Sequence, residues 1–179
     1  MPAAAPKTKE YANACMLILE KFSCGDSLSP FENRSFAIIA DELKKSAPED
    51  SLQLRGMLAL INDDEDSFNS LFARALLAAQ DTTIVHSNYA MALATLGDYD
   101  GAAREIQILL KHPVAIFQSN CHGMCLKVCR MIQRYDLAEE ILHFVDRLGV
   151  VDPSLTPEML VHLAAQLEED DPLLLTMLD

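Results

Sequence analysis

The chain has no tryptophan, few glycines and no long apolar run. Only six of its 179 residues are glycine, and no apolar stretch approaches the roughly 20 residues that a membrane-spanning helix requires. Residues 1–8 also lack the apolar centre of a secretory signal, and their small residues and prolines favour a disordered tail. These absences predict a cytoplasmic protein that does not insert into a membrane.

Positive charge is scarce as well. Lysine and arginine total 14 against 27 aspartates and glutamates, which gives a net charge of -13. Residues 48–100 and 151–179 carry much of this excess, and the second segment has seven acids without a lysine or an arginine. Because such a surface repels phosphates, we expect no nucleic-acid partner. A basic protein partner and simple solubility both remain explanations of the acidity.

Motifs of the common enzyme classes are absent. The sequence contains no HExxH zinc motif, no glycine-rich phosphate loop and no GxSxG nucleophile elbow. The acidic run 63–66 lacks the spacing of a calcium-binding loop. We therefore expect a protein that is not an enzyme and that carries neither a metal nor another cofactor.

Three of the five cysteines have a regular spacing. Cys121, Cys125 and Cys129 stand four residues apart, which places them on one helix face. Over two turns they would spread across roughly 12 Å, too far to share one zinc ion. The odd number of cysteines argues against a disulfide framework. We interpret these thiols as core residues, with a metal or redox role as the less favoured alternative.

Apolar residues recur with the period of an α-helix along most of the chain. Tyr11, Cys15, Ile18 and Phe22 stand at offsets of about 0, 4, 7 and 11, which is one face of a helix. No segment shows the clear alternation of a half-buried strand. The sequence therefore predicts an all-α protein with a single domain over residues 9–179.

The predicted helices form pairs that repeat about every 34 residues. Gly56 and Ala90 are small residues of a first helix, and Phe68 and Ala102 open a return helix. The segment 97–101, with glycine at both ends, predicts a tight turn between the two helices. This register divides the chain into repeats at 49–82, 83–116 and 119–152, a degenerate helical pair at 9–47 and capping helices at 156–178.

These repeats resemble the tetratricopeptide repeat (TPR) family. The best match is 83–116, where the signature positions hold Tyr89, Ala90, Leu93, Gly97, Tyr99, Ala102, Ile106 and Leu109. The other two repeats match at fewer positions, and the family's usual tryptophan is missing. The resemblance implies an α-solenoid of about three TPR-like helix pairs with capping helices at both ends.

The resemblance also implies a concave groove lined by the first helix of each pair. Carried onto this chain, the lining is Gln53, Met57, Leu60, Ile61, Ser87, Met91, Ala94, Thr95, Lys127, Arg130 and Met131. One end would be apolar and rich in methionine, and the other basic. Methionine suits a groove that accepts varied apolar side chains and also a core that needs filling, so both interpretations stay open for Met57 and Met91. Such a lining would fit a segment with apolar anchors and some acidic residues.

The leading hypothesis is a non-enzymatic protein-binding module, an adaptor or chaperone that holds a peptide or partner segment in its groove. In architecture alone, the chain is similar to the small TPR-type chaperones of bacterial type III secretion. The alternative is an acidic inhibitor, antitoxin or immunity-type protein that blocks a basic or nucleic-acid-binding target. A homodimer whose second copy fills the groove is a third hypothesis. The segment Leu173–Leu178 either caps the last repeat or docks on a partner.

Overall fold

The computed structural model describes residues 6–119 and 121–149, and this part of the chain is all-helical, without strands. The predicted capping helices at 156–178 and the segment Leu173–Leu178 lie outside the described residues. The helices, in chain order, are α1 (Pro6–Cys24), α2 (Pro30–Leu43), α3 (Pro48–Ile61), α4 (Glu65–Ala78), α5 (Thr83–Leu96), α6 (Tyr99–Leu110), α7 (Pro113–Gln118), α8 (His122–Met131) and α9 (Tyr135–Gly149).

Two helix boundaries differ from the sequence prediction. Helix α1 begins at Pro6, inside the segment 1–8 that was predicted as a tail. Helix α7 occupies the stretch after Pro113, where the register predicted only an insertion between two repeats. The first N–H of a helix has no partner within the helix, and proline has no N–H to leave unsatisfied. Proline therefore favours both helix starts.

Neighbouring helices pack in sequence-adjacent pairs. Helix α3 packs on α4, α5 on α6, α8 on α9 and α1 on α2. The first helices of these pairs also touch one another, because α3 contacts α5, α5 contacts α8, and α1 contacts both α3 and α5. We call α3, α5 and α8 the inner helices. They form a continuous row through the described part of the chain, and α1 packs on two of them.

Each inner helix ends in the same backbone conformation. Asp63, Gly97 and Gln133 follow α3, α5 and α8, and all three have positive φ angles of 58°, 90° and 55°. The next residue in each case donates its N–H to a carbonyl five residues back: Asp64 to Ala59, Asp98 to Leu93 and Arg134 to Cys129. This pairing satisfies carbonyls that would otherwise be left open at the helix end. The chain therefore reverses by one geometry at three places.

Aspartates then start the return helices α4 and α6. The Asp64 carboxylate accepts the backbone N–H of Ser67 at 3.1 Å, and Asp98 accepts that of Gly101 at 2.9 Å. The hydrogen bond from Ser67 holds the pKa of Asp64 below its usual value. Each of the two bonds caps the open N-terminus of its helix. The left-handed residue and the capping aspartate together define the turn that the sequence predicted at 97–101.

An aromatic cluster joins α4 to α5. The ring of Phe72 stacks on that of Tyr89 with centroids 4.7 Å apart, and Phe68 meets Phe72 at 5.1 Å. The Tyr89 hydroxyl donates to Asn69 Oδ1 at 2.7 Å. Gly56 of α3 lies against this cluster, because a Cβ placed there would be 2.9 Å from two ring carbons of Phe72. The predicted need for a small residue at this position is confirmed.

Gly56→Ala tests that close approach. Alanine favours a helix over glycine by about 1 kcal/mol, whereas overpacking a core costs about 1–3 kcal/mol. Since Phe72 is held between Phe68 and Tyr89, we expect the overpacking to dominate and the free energy of unfolding to fall by up to about 2 kcal/mol. Urea denaturation of both proteins measures this change.

The matched control is the same substitution in a Phe72→Leu background. Leucine removes the ring carbons that the new methyl group would meet, so Gly56→Ala should there be neutral or stabilising by up to about 1 kcal/mol. A stabilising effect of Gly56→Ala in the otherwise unchanged chain would contradict the packing described.

Candidate functional site

The structure buries six of the eleven side chains predicted to line the groove. These are Gln53, Met57, Leu60, Ser87, Met91 and Ala94, all at most 7% exposed. Ile61, Thr95, Arg130 and Met131 are half-buried, and Lys127 is exposed. The expectation of an open lining along α3 and α5 is therefore corrected. Of the two interpretations of Met57 and Met91, core packing describes where they lie in this structure.

Helix α1 contributes to this burial, together with the contacts that the inner helices make with one another. It packs on α3 and α5 and places Tyr11, Ala14, Cys15 and Ile18 in the core. Tyr11, Cys15 and Ile18 belong to the apolar face that the helical period predicts, and Phe22, the fourth residue of that face, is half-buried. The first helix of the chain thus lies on the face that the resemblance assigns to a bound segment.

A chain of hydrogen bonds ties α1 to two inner helices. Asn88 Nδ2 on α5 donates to Gln53 Oε1 on α3 at 2.8 Å and to the Tyr11 hydroxyl oxygen on α1 at 3.3 Å. Gln53 Nε2 in turn donates to Asp50 Oδ1 at 3.4 Å. Because Gln53 is fully buried, its amide depends on these partners. Asn88 therefore connects three helices through one amide group.

Burial beneath α1 perturbs the ionisable groups around this network. The pKa of Asp50 is raised from 3.8 to about 6, first by burial and then by the neighbouring charge of Glu49. Burial also raises the pKa of Cys15 to about 12 and that of Tyr11 well above its usual value. The network is therefore arranged to hold neutral groups, and ionisation of Asp50 opposes it.

Among the described residues, α8 is the inner helix that keeps an exposed side chain from the predicted lining. Met124 is 37% exposed, and Lys127 and Met131 follow at the spacing that continues its helix face. Arg130 lies beside them and is half-buried. Neither Lys127 nor Arg130 forms an ion pair with another residue of the described part of the chain. Ser87 Oγ approaches Met124 Sδ at 3.6 Å, which joins this surface to α5. We call Met124, Lys127, Arg130 and Met131 the α8 surface.

The regularly spaced cysteines pack inside the protein. Cys121, Cys125 and Cys129 are free thiols and at most 6% exposed, as the core interpretation predicted. Burial raises the pKa of all three, and that of Cys129 reaches about 12, so the thiols stay protonated and unreactive at neutral pH. Within the described ranges, no group of three or more histidine, cysteine or acidic side chains could hold a metal ion.

Acidic side chains are exposed at the turns after the inner helices. Asp63 and Asp64 are exposed between α3 and α4, and Glu65 and Asp66 in the first turn of α4; Asp98 is exposed before α6 and Asp100 in its first turn. In the turn between α8 and α9, the hydrogen bond to Asp136 raises the pKa of Arg134. The surface around the first two turns is mainly acidic.

Sequence reasoning missed the residues that close the inner face. The sequence did not predict that Asn88 and Asp50 take part in a buried network. A polar residue on a helix is expected to face solvent unless another helix is known to cover it. Tyr11 was recognised as part of an apolar face, but the surface that it covers was not. The Tyr11 hydroxyl indicated that this apolar face contacts a polar group, because a buried tyrosine hydroxyl usually has a hydrogen-bond partner.

Comparisons with known proteins give no relatives: no family model, curated protein or solved structure matches this chain. None of the described helices combines the length and the apolar character needed to cross a bilayer. The site is therefore characterised by its own geometry.

Asp50→Asn tests the buried network through pH. The folded protein binds the Asp50 proton more tightly than the unfolded chain does, since the pKa rises from 3.8 to about 6. The contribution of Asp50 to stability is then most favourable below pH 4 and declines as the pH rises through about 6. We expect Asp50→Asn to raise Tm relative to the unchanged chain by more at pH 7.5 than at pH 4.5.

Asp66→Asn is the matched control, because Asp66 is an exposed aspartate in the first turn of α4. Its effect on Tm should be small and should not follow the same pH dependence. Thermal unfolding at several pH values compares the three proteins. A difference between Asp50→Asn and the unchanged chain that stays constant from pH 4.5 to 7.5 would show that Asp50 titrates normally.

Proposed function

We propose that this protein is a non-enzymatic binding module, an adaptor or chaperone that holds an amphipathic segment of another protein along its inner helices. The observation that carries the proposal is α1 itself, an amphipathic helix that lies on α3 and α5. A face that accepts one such helix has the shape and the apolar character to accept another. The α8 surface extends this face beyond the part that α1 covers.

The α8 surface defines the chemistry of the partner. Met124 and Met131 are flexible apolar side chains that adapt to different partner residues. Lys127 and Arg130 are cations without ion-pair partners in the described chain, although the protein carries a net charge of -13. A segment with apolar anchors and acidic residues between them would complement both features.

The recurring turn geometry supports a TPR-like solenoid as the architecture of this module. Left-handed residues follow the inner helices at intervals of 34 and 36 residues, close to the TPR period. Repeats of this kind bury a continuous core and offer their inner helices as an extended surface. The resemblance to TPR-type chaperones of type III secretion belongs to the same proposal.

An acidic inhibitor, antitoxin or immunity-type protein remains the second candidate. The exposed acids of the first two turns favour it, because they could face a basic target. Salt separates the two functions, since a Debye length of about 3 Å at 1 M screens an exposed acidic surface. Binding through apolar anchors on α8 should survive that concentration, whereas binding through the turns should not.

A photo-reactive amino acid at Met124 tests the proposed surface directly. Placed in the full chain and irradiated in its native cell, it should cross-link to a distinct partner protein. The same group at Gln107, an exposed position on α6, is the control and should give no such product. Mass spectrometry then identifies the partner and shows whether it is a second copy of this chain, as the homodimer hypothesis requires.

Substitutions on the α8 surface should weaken the purified complex. We expect Met131→Glu to reduce affinity at least about tenfold, which corresponds to 1.4 kcal/mol. Lys127→Glu should do so as well at low salt, while Gln107→Glu should not. Met91 is unsuitable for this test because it is buried. Equal cross-linking from positions 124 and 107, or a complex that ignores both α8 substitutions, would contradict the proposal.

A further inference from the structure

Helix α1 packs on the inner helices through apolar side chains and one polar contact. Tyr11, Ala14, Cys15 and Ile18 are buried, and Leu17, Leu19 and Phe22 are partly buried against the same core. The opposite side of the helix is exposed, including Met16 at 70%. The polar part of the contact is the bond from Asn88 to the Tyr11 hydroxyl. Because one side of α1 faces solvent, whereas α3 and α5 each pack on several helices, we expect α1 to open more easily than the core beneath it.

The neighbouring helix α2 is anchored independently of α1. Ser51 Oγ on α3 donates to the Ala40 carbonyl of α2 at 2.6 Å, and Arg55 of α3 pairs with Asp41 of α2. Phe36, Ala40 and Leu43 of α2 are buried. Movement of α1 would therefore leave the contact between α2 and α3 in place.

A short connection joins α1 to this fixed helix. Gly25 follows α1 with a φ of +73° and has no atom within 4 Å of its Cβ position, and the turn continues to the N-cap of α2 at Ser29. Lys21 Nζ pairs with Glu32 Oε2 at 3.1 Å across this connection. The pair lies near the end of α1, so α1 can turn away from the inner helices while its last residues stay near α2.

We propose that the face of α3 and α5 beneath α1 is a helix-binding site, that α1 occupies it in cis, and that an amphipathic partner helix bearing a tyrosine displaces α1. The proposal rests on the proposed function, since one row of inner helices carries both this site and the α8 surface. It adds the regulation of that surface: the chain covers part of its own binding face until a competing helix arrives.

The site specifies the kind of helix that it accepts. Gln53, Met57 and Leu60 stand on one face of α3 and offer a polar group at one end and flexible apolar side chains at the other. Asn88 uses one N–H for Gln53 and one for the tyrosine. The partner helix must therefore bring a hydroxyl acceptor about two turns before an aliphatic residue, with small residues between them, as Tyr11, Ala14, Cys15 and Ile18 do.

A peptide with the sequence of residues 6–24 is the probe. Labelled with a fluorophore and kept reduced, it is titrated against the full chain and against full-length Ile18→Glu. Ile18 is fully buried, so a carboxylate there should expel α1 and vacate the site. We expect the peptide to bind Ile18→Glu at least about tenfold more tightly than the unchanged chain, in which α1 competes in cis. Asn13→Glu, on the exposed side of α1, is the control and should behave as the unchanged chain does.

A milder pair of changes tests the tyrosine contact. A peptide carrying phenylalanine in place of Tyr11 should bind Ile18→Glu several-fold more weakly, because one Asn88 N–H loses its acceptor. Full-length Tyr11→Phe weakens the cis helix without a buried charge, so it should bind the unaltered peptide more tightly than the unchanged chain does. Circular dichroism shows whether α3 to α9 stay folded in each variant.

The outcomes separate the two proposals. If Ile18→Glu keeps its helices but no peptide binds, or if it unfolds and Tyr11→Phe also gains no peptide binding, the cis-occupied site is overturned. Partner cross-linking at Met124 would in that case still support the α8 surface. Peptide binding to Ile18→Glu together with no cross-linking at Met124 would uphold the helix-binding site and reject the function proposed for α8.

Discussion

The left-handed residue at the end of each inner helix is the constraint on which the arrangement depends. A positive φ at Asp63, Gly97 and Gln133 sends the chain back along the helix that it has just left. Each return helix then packs on its own inner helix, and the inner helices are left to contact one another. Because neither an inner helix nor its return helix can bury all of its apolar residues within the pair, the pairs must stack.

Stacking of the pairs buries the apolar residues between neighbouring pairs, but it leaves one face of the inner helices uncovered. The chain covers the α3 and α5 part of that face with α1, and it does so with a polar bond at Asn88 as well as apolar packing. The α8 part keeps an exposed methionine, Met124, and two cations that form no ion pair with another described residue. Covered and open portions of one face are thus the physical basis for the proposed binding module, in which we propose that α1 controls access to the covered part.

The sequence predicted the helices and the register of the turns well, for local reasons. Helical period and glycine at position 97 are signals that act within a few residues. Asp63 and Gln133 adopt the same left-handed conformation as Gly97 without being glycine. Their conformation therefore had no local residue signal, and the repeat spacing from the turn at Gly97 indicated these two turns. The need for small residues at Gly56 and Ala102 was predictable, because helix backbones approach each other closely at the same positions of each repeat.

The site was predictable only in part, because its exposure depends on contacts between distant segments. A pattern along α3 shows which residues share a face, but it does not show that residues 40 positions earlier lie on that face. Lys127, Arg130 and Met131 were assigned to the lining and remain accessible or half-buried. Gln53, Met57 and Leu60 were assigned to the same lining and are buried. The buried group lies on α3, on which α1 packs.

Hydrogen exchange of the full chain, followed by mass spectrometry and without any added ligand, tests the central claim most directly. The account predicts that the amides of α1 exchange at least about tenfold faster than those of α3 and α5, a difference of roughly 1.4 kcal/mol in opening free energy. Helix α2 should remain protected together with α3. Exchange of α1 at the same rate as α3 and α5, through one shared opening, would show that α1 is an inseparable part of the core and would contradict the account.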